Sequence, residues 1–585
     1  MIGLFAVTDA GRRAAAELAA RWREDAVVAE GPIGSALRRL WPQLDAAVLF
    51  LATGAAVRLV GPMLRDKQTD PGVVCVDEAR HFAVALAGGH AGGANALAEQ
   101  VADVLGCQPV VTTATDSTGS TPLDEIVELL EATVEGDLAS CGVAILDGAP
   151  VRLVNPHGFA LPALPDNVSA DTESPQWTIV VDDRRPHEAD PDNTLRLIPR
   201  TLVVGIGSAS DIPRTAVTDT LARLDGEHGL DPRAIRAFAT VDLKAAERGI
   251  LDAVQDMGFW NSPDGDELPL RHYPAQELAE VRVPHPSEVV RAEVGTPSVA
   301  EAAALRAAGE LGGGAETELV ADKIKGDNVT VAAARIRPRG RLAIVGLGPG
   351  AQEERTPRAD AELRRASVVV GLDQYIEQVR HLLRPGTEIR ASGLGSEEAR
   401  AADAVSLARC GRAVALIGSG DAGVYAMASP ALEQAGDDIE VVGVAGVTSA
   451  LATSSLLGAP LGHDHALISL SDLHTPWEVI ERRVRAAAEG DLVVCFYNPR
   501  SAGRHWHLGR ALEVLGEHRP ARTPVGAVRQ AGRDGQRVWW APIDEFDPAE
   551  VDMLTTVVVG SSHTTVSAGR MVTPRGYRWM STDGG

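Results

Sequence analysis

Short apolar runs alternate with Ala-rich amphipathic stretches over the first 120 residues. Two stretches at helical spacing, 11–23 and 94–105, predict helices. The apolar runs predict strands at Ile2–Thr8, Ala46–Thr53, Val73–Asp77, Phe82–Leu86 and Pro109–Thr113. Strands that alternate with helices along a chain are typical of an α/β sheet.

Apolar strand openings recur at two later points, TLVVGIGS from Thr201 and LAIVGLGPG from Leu342. The first begins an α/β unit that ends in a hairpin, because two alternating runs flank Gly326-Asp327-Asn328. The second begins a longer α/β series, and polar, Pro-rich stretches before Thr201 indicate a small insert. The pattern predicts a multidomain α/β protein with domains at 1–120, 121–197, 198–338 and 339–585.

Composition and net charge limit the classes of molecule that the protein is expected to bind. The chain has 585 residues, a net charge of −25 and 4% aromatic residues, which argues against nucleic acid. Its five cysteines form no CxxC pair, and no spacing indicates a metal site. Without a signal region or an apolar run of membrane length, no membrane association and a cytoplasmic location are expected.

The glycine-rich turn Gly346-Leu347-Gly348-Pro349-Gly350 follows a predicted strand. Glycines let a backbone pass close to a ligand, although such a turn also occurs for purely structural reasons. A dinucleotide-binding motif is the rival interpretation, and Asp373 falls near the position of its ribose-binding acid. That motif opens its helix at the glycines, whereas here a helix is predicted to begin later, at Thr356-Pro357.

Further predicted strand ends follow in order at GSGDAG, GVAGVTS and FYNPRS. A series of glycine- or proline-bearing strand ends predicts a layered cofactor cleft more specifically than any one of them. These segments, with SLSDLHTPWEVI and VGAVRQAGR, resemble the tetrapyrrole methylase family, and within it the precorrin-3B C17-methyltransferases. The resemblance covers residues 340–580. Ala422 and Ala445 stand where many members carry proline.

The resemblance implies two α/β domains with S-adenosyl-L-methionine between them, a tetrapyrrole (precorrin) substrate and a homodimer. It also implies a ring contraction, which needs general acid–base catalysis. The candidate catalytic residues there are Asp472, His474 and His505, with Asp373 behind them. The residues implied to hold the cofactor are Gly346, Gly348, Pro349, Gly420, Asp421, Val424, Thr448, Ser449 and Asn498.

Four arginines lie beside these motifs in the sequence. For them and for the acid–base candidates, the alternative interpretation is that they are solvated surface or loop residues without a functional role. Arginines bind the carboxylates of a precorrin bidentately. The four members of this predicted cluster are Arg500, Arg504, Arg529 and Arg533.

In the first half, HFAVALAGGHAGGANALAEQ places a glycine loop with His90 between a predicted strand and a helix. A glycine loop at a helix N-terminus favours anions, and close helix packing is the alternative. With TGAAVR, ATVDLKAAERGI and VADKIKGDNVTVAAAR, the segment resembles the cobalt-precorrin-5A hydrolase family over 1–335. That family opens a δ-lactone and releases acetaldehyde. His90 is predicted as the base, the 88–95 amides or Lys244 as the oxyanion stabiliser, and Glu247 as a partner of Lys244 or an acid.

One departure bears on this half: GIGSASD replaces the family's GIGCRRG, so Ser208 stands for a cysteine and two arginines are absent. The leading hypothesis is a bifunctional hydrolase and methyltransferase. The alternatives are a non-catalytic tetrapyrrole-binding first half, a methylase with another acceptor and, least favoured, a nicotinamide oxidoreductase. The sequence leaves open whether the acceptor carries cobalt.

Overall fold

The computed structural model describes residues 1–65, 69–89, 92–112, 118–186, 191–261, 268–313, 317–501 and 503–576. The candidate base His90 lies outside these ranges, as do Lys67 and 113–117. The first of two compact units comprises Met1–His157, Leu164–Pro338 and Arg384–Gly386, and the second comprises Gly158–Ala163, Arg339–Leu383 and Thr387–Gly585. Within the described ranges, no helix has both the length and the apolar character of a membrane span.

The first sheet of unit one has six strands in the order β2-β1-β3-β4-β5-β6. They are β1 (Ile2–Ala6), β2 (Ala26–Val28), β3 (Ala46–Phe50), β4 (Gly72–Val76), β5 (Phe82–Ala87) and β6 (Gln108–Val110). Helices Asp9–Trp22 and Ala94–Leu105 pack on one face, and Ile33–Leu40 and Thr53–Val60 on the other. Burial on both faces explains why β3 and β4 are continuous apolar runs.

The sheet is not fully parallel, because β5 runs antiparallel to β4. The glycine loop after β5 therefore lies at the edge opposite to the carboxyl end of β3, where Thr53 and Arg58 are found. The reversed strand therefore separates the two loops.

Two more sheets complete unit one, in the orders β7-β11-β10-β8-β9 and β14-β13-β12-β16-β15. The strands of the first are β7 (Thr133–Glu135), β8 (Val151–Val154), β9 (Val168–Ser169), β10 (Trp177–Val181) and β11 (Thr194–Ile198). The strands of the second are β12 (Leu202–Ser208), β13 (Ile235–Val241), β14 (Leu270–Tyr273), β15 (Thr317–Lys325) and β16 (Val329–Ile336). The predicted hairpin is confirmed as β15 and β16.

The remaining helices of unit one flank these two sheets. They are Leu123–Leu129, Leu138–Leu146, Arg214–His228, Arg248–Asn261, Ala275–Ala279, Glu288–Val294 and Ala300–Leu311. The buried carboxylate of Asp183 accepts hydrogen bonds from the Arg335 guanidinium and from the Thr201 hydroxyl, the latter at 2.8 Å. This network joins the end of the second sheet to the third.

Unit two begins with a five-stranded sheet in the order β19-β18-β20-β17-β21, with every pair parallel. Its strands are β17 (Arg341–Gly346), β18 (Val368–Leu372), β19 (Glu388–Ser392), β20 (Ala413–Gly418) and β21 (Glu440–Val444). Its helices are Pro357–Arg365, Asp373–Val379, Glu397–Arg409 and Ala428–Leu432. Thr356 caps the first of these as predicted, accepting a hydrogen bond from the Ala359 N–H.

The second large sheet of unit two is mostly antiparallel, in the order β23-β24-β27-β25-β26. Its strands are β23 (His465–Ser469), β24 (Val493–Tyr497), β25 (Pro524–Arg529), β26 (Arg537–Pro542) and β27 (Thr555–Val559). A small sheet contains β22 (Gly458–Ala459), β28 (Thr565–Ser567) and β29 (Arg570–Val572). Helices Ser449–Leu457, Trp477–Glu489 and His507–Gly516 flank them. The α/β fold class is confirmed, and the four domain boundaries stay predictions.

Candidate functional site

Three loops meet at the carboxyl edge of the parallel sheet of unit two, after β17, β20 and β21. Gly348 and Gly420 exchange two main-chain hydrogen bonds of 3.0 and 2.7 Å. A Cβ atom on Gly446 would lie 2.1 Å from the Gly420 carbonyl oxygen, and one on Gly346 would lie 2.7 Å from that oxygen. Only glycine allows backbones to approach so closely, so these four residues form the junction that holds the loops together.

Asp421 reinforces this junction. One carboxylate oxygen accepts a hydrogen bond from the Gly423 N–H at 2.8 Å, and the other accepts one from the Gly446 N–H at 3.0 Å. The carboxylate thus ties the loop after β20 to the loop after β21. Its first role in this structure is to position backbone, and it also faces the adjoining cavity.

A cavity of about 280 Å³ opens beside the junction. Gly346 and Gly348 belong to the loop junction and are not among the residues that line the cavity. Apolar side chains such as Leu372 and Ile417 form one part of the lining, and hydroxyls and main-chain groups form another. The predicted cofactor residues that line it are Pro349, Gly420, Asp421, Val424, Thr448, Ser449 and Asn498.

Tyr497, the last residue of β24, lines the cavity and forms hydrogen bonds with the start of a neighbouring helix. Thr448 is the N-cap of helix Ser449–Leu457, and its hydroxyl is hydrogen-bonded to the Tyr497 hydroxyl. The Ala450 N–H donates to the same phenol oxygen at 3.2 Å. Burial raises the pKa of Tyr497, so its hydroxyl stays neutral at physiological pH.

Three residues of the cavity wall have left-handed backbone conformations although they are not glycine. They are Tyr425, Asn498 and Gln530, with φ values of 52°, 50° and 51°. Such conformations are sparsely populated and persist where the surrounding structure enforces them, often at binding sites. Asn498 is fixed further by a 3.2 Å hydrogen bond from its side-chain amide to the Ser469 hydroxyl.

Arg533 lies across the glycine-rich turn. Its Nε donates to the Pro349 carbonyl at 2.7 Å, and its Nη2 donates to the Ser419 hydroxyl at 2.9 Å. Its side chain occupies the space that a Cβ on Gly350 would need. Arg533 therefore belongs to the cavity rather than to a separate carboxylate-binding surface.

The other arginines of the predicted cluster have different partners. Arg500 and Arg504 donate to main-chain carbonyls, at 2.7 Å and 3.3 Å for the closest bonds. Arg529 donates to the Asp552 carboxylate at 2.7 Å. Arg500, Arg504 and Arg529 all contact the 548–553 segment. Arg533 differs from them, because it binds the glycine-rich turn.

The predicted acid–base residues lie outside the lining of the described cavity. Asp472 faces His507, with 3.1 Å between the carboxylate and Nε2, and Arg504 lies 3.7 Å away. His474 is exposed in the same loop. His505 lines a different depression with Arg500, while Asp373 begins a helix whose next residues, Gln374 and Tyr375, line the cavity.

In unit one, Lys244 and Glu247 form an ion pair of 3.2 Å and are both largely buried. Lys244 also donates to the Ser210 hydroxyl at 3.0 Å, and Glu247 accepts a hydrogen bond from the Ile212 N–H at 3.1 Å. Both side chains thus brace the GIGSASD turn. Of the two roles predicted for Glu247, partner of Lys244 or acid, the structure contains the ion pair with Lys244.

The glycine loop after β5 uses some of the amides that were predicted to hold an anion. The Ala94 and Asn95 N–H groups donate to the Gly88 and Gly89 carbonyls, each at 3.0 Å. A Cβ on Gly72 would lie 2.0 Å from the Gly92 carbonyl oxygen. Glycine in this loop therefore serves close backbone packing in the part that the structure describes.

Comparison with known proteins extends this picture. Residues 341–547 match the family model of tetrapyrrole (corrin/porphyrin) methylases. A probable cobalt-factor III C(17)-methyltransferase of Salmonella typhimurium is 46% identical over 242 residues, 40% of this chain and 99% of that protein. The chain belongs to the tetrapyrrole methylase family. A precorrin-3B C(17)-methyltransferase of Sinorhizobium sp is 39% identical, over 41% of this chain and 99% of that one.

The first half of this tetrapyrrole methylase matches two further family models. They are cobalamin synthesis G N-terminal at residues 35–116 and cobalamin synthesis G C-terminus at 202–334. Both resemblances drawn from the sequence are thus confirmed. Other curated relatives are only about half spanned by this chain, over 46%, 53% and 48% of their lengths. The crystal structure of the methyltransferase CobJ is 35% identical, with a TM-score of 0.39, covering 40% of this chain and 100% of that one.

The family uses S-adenosyl-L-methionine, and the residues of the cavity fit that molecule. The glycine junction brings the loops together without side chains between them, which leaves backbone exposed to a ligand. Apolar walls suit a purine, while the Thr448 and Ser449 hydroxyls suit polar groups. The volume lies near the lower end of small-molecule pockets, roughly 300 Å³.

Sequence reasoning missed several cavity residues. Tyr497 could have been found from the sequence, because it ends a predicted strand and precedes the predicted cofactor residue Asn498. Arg533 was noted only as a carboxylate binder, and the side chains of Gln374, Tyr375 and Arg400 had no motif to mark them. These residues come from distant parts of the chain, and only the fold brings them to one cavity.

Proposed function

We propose that the chain is a bifunctional enzyme of corrinoid ring construction. Its second half methylates C17 of precorrin-3B, or of the cobalt-containing equivalent, with ring contraction. The observation that carries this proposal is the glycine junction and its cavity, formed by residues that match the methylase motifs. The names of the Salmonella and Sinorhizobium relatives support the substrate class.

Methyl transfer depends mainly on positioning the two reactants. Bound S-adenosyl-L-methionine supplies a methyl group on a sulfonium centre. The loops after β17, β20 and β21 would hold that molecule, and the polar groups of Thr448, Ser449 and Asn498 would orient it. Neutral Tyr497 fixes the Thr448 hydroxyl and offers no competing nucleophilic phenolate.

Ring contraction requires proton transfer, and we assign this to the Asp472 loop. The buried ring of His507 holds the Asp472 carboxylate at 3.1 Å, and Arg504 approaches its other oxygen at 3.7 Å. These contacts position the carboxylate, and we propose Asp472 as the proton acceptor. His474, exposed in the same loop, is proposed as its acidic counterpart.

We further propose that the first half opens a δ-lactone on the macrocycle and releases acetaldehyde. His90, Lys244 and Glu247 are the residues proposed for this step from the family resemblance. A non-catalytic tetrapyrrole-binding half is the second candidate, and the engagement of Lys244 and Glu247 with the GIGSASD turn favours it. A homodimer and a cytoplasmic location complete the proposal.

Calorimetric titration of S-adenosyl-L-methionine and S-adenosylhomocysteine into the full chain tests the methyltransferase half. Asp421→Asn places a donor against the Gly446 N–H, so we expect binding to weaken at least tenfold, about 1.4 kcal/mol. His474→Ala is the control, because His474 is exposed and lies outside the cavity lining. Its Kd for S-adenosyl-L-methionine should stay within twofold of the wild-type value. A folded wild-type chain that binds neither compound contradicts the proposal.

Mass spectrometry of acceptor mixtures then tests the substrate. Precorrin-3B incubated with the chain and methyl-labelled cofactor should gain one labelled methyl group, whereas uroporphyrinogen should gain none. Methylation of uroporphyrinogen alone would establish a different tetrapyrrole methylase.

A further inference from the structure

A completely buried carboxylate lies in unit one, away from the residues assigned above. Glu301 is 0% exposed in the first turn of helix Ala300–Leu311. Its oxygens accept hydrogen bonds from the Ser298 hydroxyl at 3.4 Å and from the Lys323 N–H at 3.3 Å. An irregular register in β15 between Ala321 and Ile324 frees that N–H from the strand ladder.

The side chain that faces this carboxylate is a histidine. His285 Nδ1 lies 2.8 Å from one Glu301 oxygen, and the His285 main-chain N–H donates to the other at 3.3 Å. Burying a carboxylate is expensive unless a partner compensates its charge. Among the described residues, His285 is the only ion-pair partner of Glu301.

The imidazole itself is 55% exposed. It lies between Pro284 and Pro286, whose rings restrict the backbone on both sides. When Nδ1–H donates to Glu301, the neutral ring carries its lone pair on Nε2. Within the part of the chain that the structure describes, Nε2 has no hydrogen-bond partner. A buried acid thus orients an accessible base.

A second histidine–carboxylate pair in unit one supplies a contrast. His272 Nδ1 lies 2.7 Å from Asp242, but the two side chains are 57% and 45% exposed. Solvent screens such a pair, and it contributes little. Burial of the carboxylate, rather than the short distance, distinguishes His285. The exposed Asp322 lies nearby, with its ligating atom within 4.8 Å of those of His285 and Glu301.

We propose that His285 is the general base of the hydrolase half and that Glu301 is its positioning residue. This inference rests on the lactone hydrolysis proposed above, and it relocates the base from His90. Glu301 acts only through His285, since it is fully buried. The same division of roles occurs where a buried acid orients a catalytic histidine and stabilises its protonated form.

The chemical step balances with water alone. Nε2 removes one proton from water while the water oxygen bonds to the lactone carbonyl carbon and the carbonyl electrons move to its oxygen. Collapse of this intermediate breaks the bond to the ring oxygen, which takes the proton back from the imidazolium. One water is consumed, and one carboxylic acid and one hydroxyl group form. Release of acetaldehyde then breaks the bond between the hydroxyl-bearing carbon and the macrocycle: the hydroxyl oxygen becomes the aldehyde oxygen, and the ring carbon keeps the bonding electrons and gains the hydroxyl proton.

The test uses the full chain and a cobalt-corrinoid δ-lactone, with released acetaldehyde measured through NADH oxidation by alcohol dehydrogenase. His285→Ala should lower kcat by roughly 10²- to 10⁴-fold, the usual contribution of a general base. Added imidazole should restore part of the rate, because the ring is exposed. Glu301→Gln should lower kcat with KM unchanged, and the matched variant His272→Ala should leave both unchanged.

Each outcome decides between the two proposals. An inactive wild-type chain that still binds S-adenosyl-L-methionine overturns the hydrolase function and the dyad together. An active His285→Ala variant overturns the dyad alone. Loss of activity without rescue by imidazole, accompanied by a lower melting temperature, assigns His285 a structural role. Inactivation by a chelator with recovery on adding Zn²⁺ makes His285, Glu301 and Asp322 metal ligands and overturns the dyad.

Discussion

Strands β12 and β17 open with similar sequences, LVVGIGS and LAIVGLG, yet their carboxyl ends differ. β17 lies between two parallel neighbours, β20 and β21, so three carboxyl ends meet at one edge and leave a crevice. β12 has an antiparallel neighbour, β16, whose hairpin turn covers the corresponding edge. There the Ala209 N–H donates to the Asn328 carbonyl at 2.9 Å.

The glycines of the two strands accordingly serve different purposes. A Cβ on Gly205 would lie 1.9 Å from the Ala300 carbonyl oxygen, so this glycine allows a helix to pack against β12. The glycines around β17 allow loops to approach one another beside a cavity. In this protein, the strand and glycine turn that lie beside a cavity are those whose neighbouring strands run in the same direction.

Alanine substitutions provide the largest test of this comparison. Gly446→Ala places a Cβ 2.1 Å from the Gly420 oxygen, so we expect cofactor binding to weaken by about 2–3 kcal/mol, ~30- to 150-fold. Gly205→Ala should lower the melting temperature and leave cofactor Kd unchanged. Calorimetry and thermal unfolding separate the two. Gly443→Ala, which meets nothing within 4 Å, is the matched control in β21. Equal loss of binding in all three variants would contradict the distinction.

Replacing Arg533 should have an intermediate effect. Arg533→Ala removes hydrogen bonds to the Pro349 carbonyl and the Ser419 hydroxyl, and we expect Kd to rise by roughly 5- to 30-fold, or about 1–2 kcal/mol. Arg533→Lys should recover little, because an ammonium lacks the fork that bridges both groups. Arg537→Ala, whose partner is the exposed Glu550, should not change Kd. Full recovery by lysine would show that charge alone matters.

The smallest effect concerns two buried phenols, one in each unit. Burial raises the pKa of Tyr273 to about 12 and raises that of Tyr497 as well. Unfolded tyrosine loses its proton near pH ~10, so the unfolded chain binds fewer protons above that pH and the unfolding free energy falls as pH rises. Ultraviolet titration of tyrosinate should show a late component that shrinks in Tyr273→Phe and in Tyr497→Phe. Cofactor affinity should change only in the second variant, and unchanged late titration in both would refute the assignment.

Much of the local structure could be predicted from the sequence. The strand before GLGPG, the Thr356 cap and the Gly326–Asn328 hairpin follow from hydrophobic period and turn chemistry, which act over a few residues. The helix that follows β20 begins only at Ala428, and the sequence did not indicate that Asp421 binds the backbone of two loops instead of capping a helix. Three elements of the first domain, β2 and the helices at 33–40 and 53–60, went unpredicted.

The sequence by itself determined the apolar strands, the glycine positions and the motifs that mark the methylase half. Tertiary structure alone decided that β5 reverses direction, that Arg533 crosses the glycine-rich turn and that Glu301 lies buried against His285. Local patterns record which residues favour a strand or a turn. Burial and strand direction depend on contacts between segments far apart in the chain, and no local pattern of one sequence encodes them.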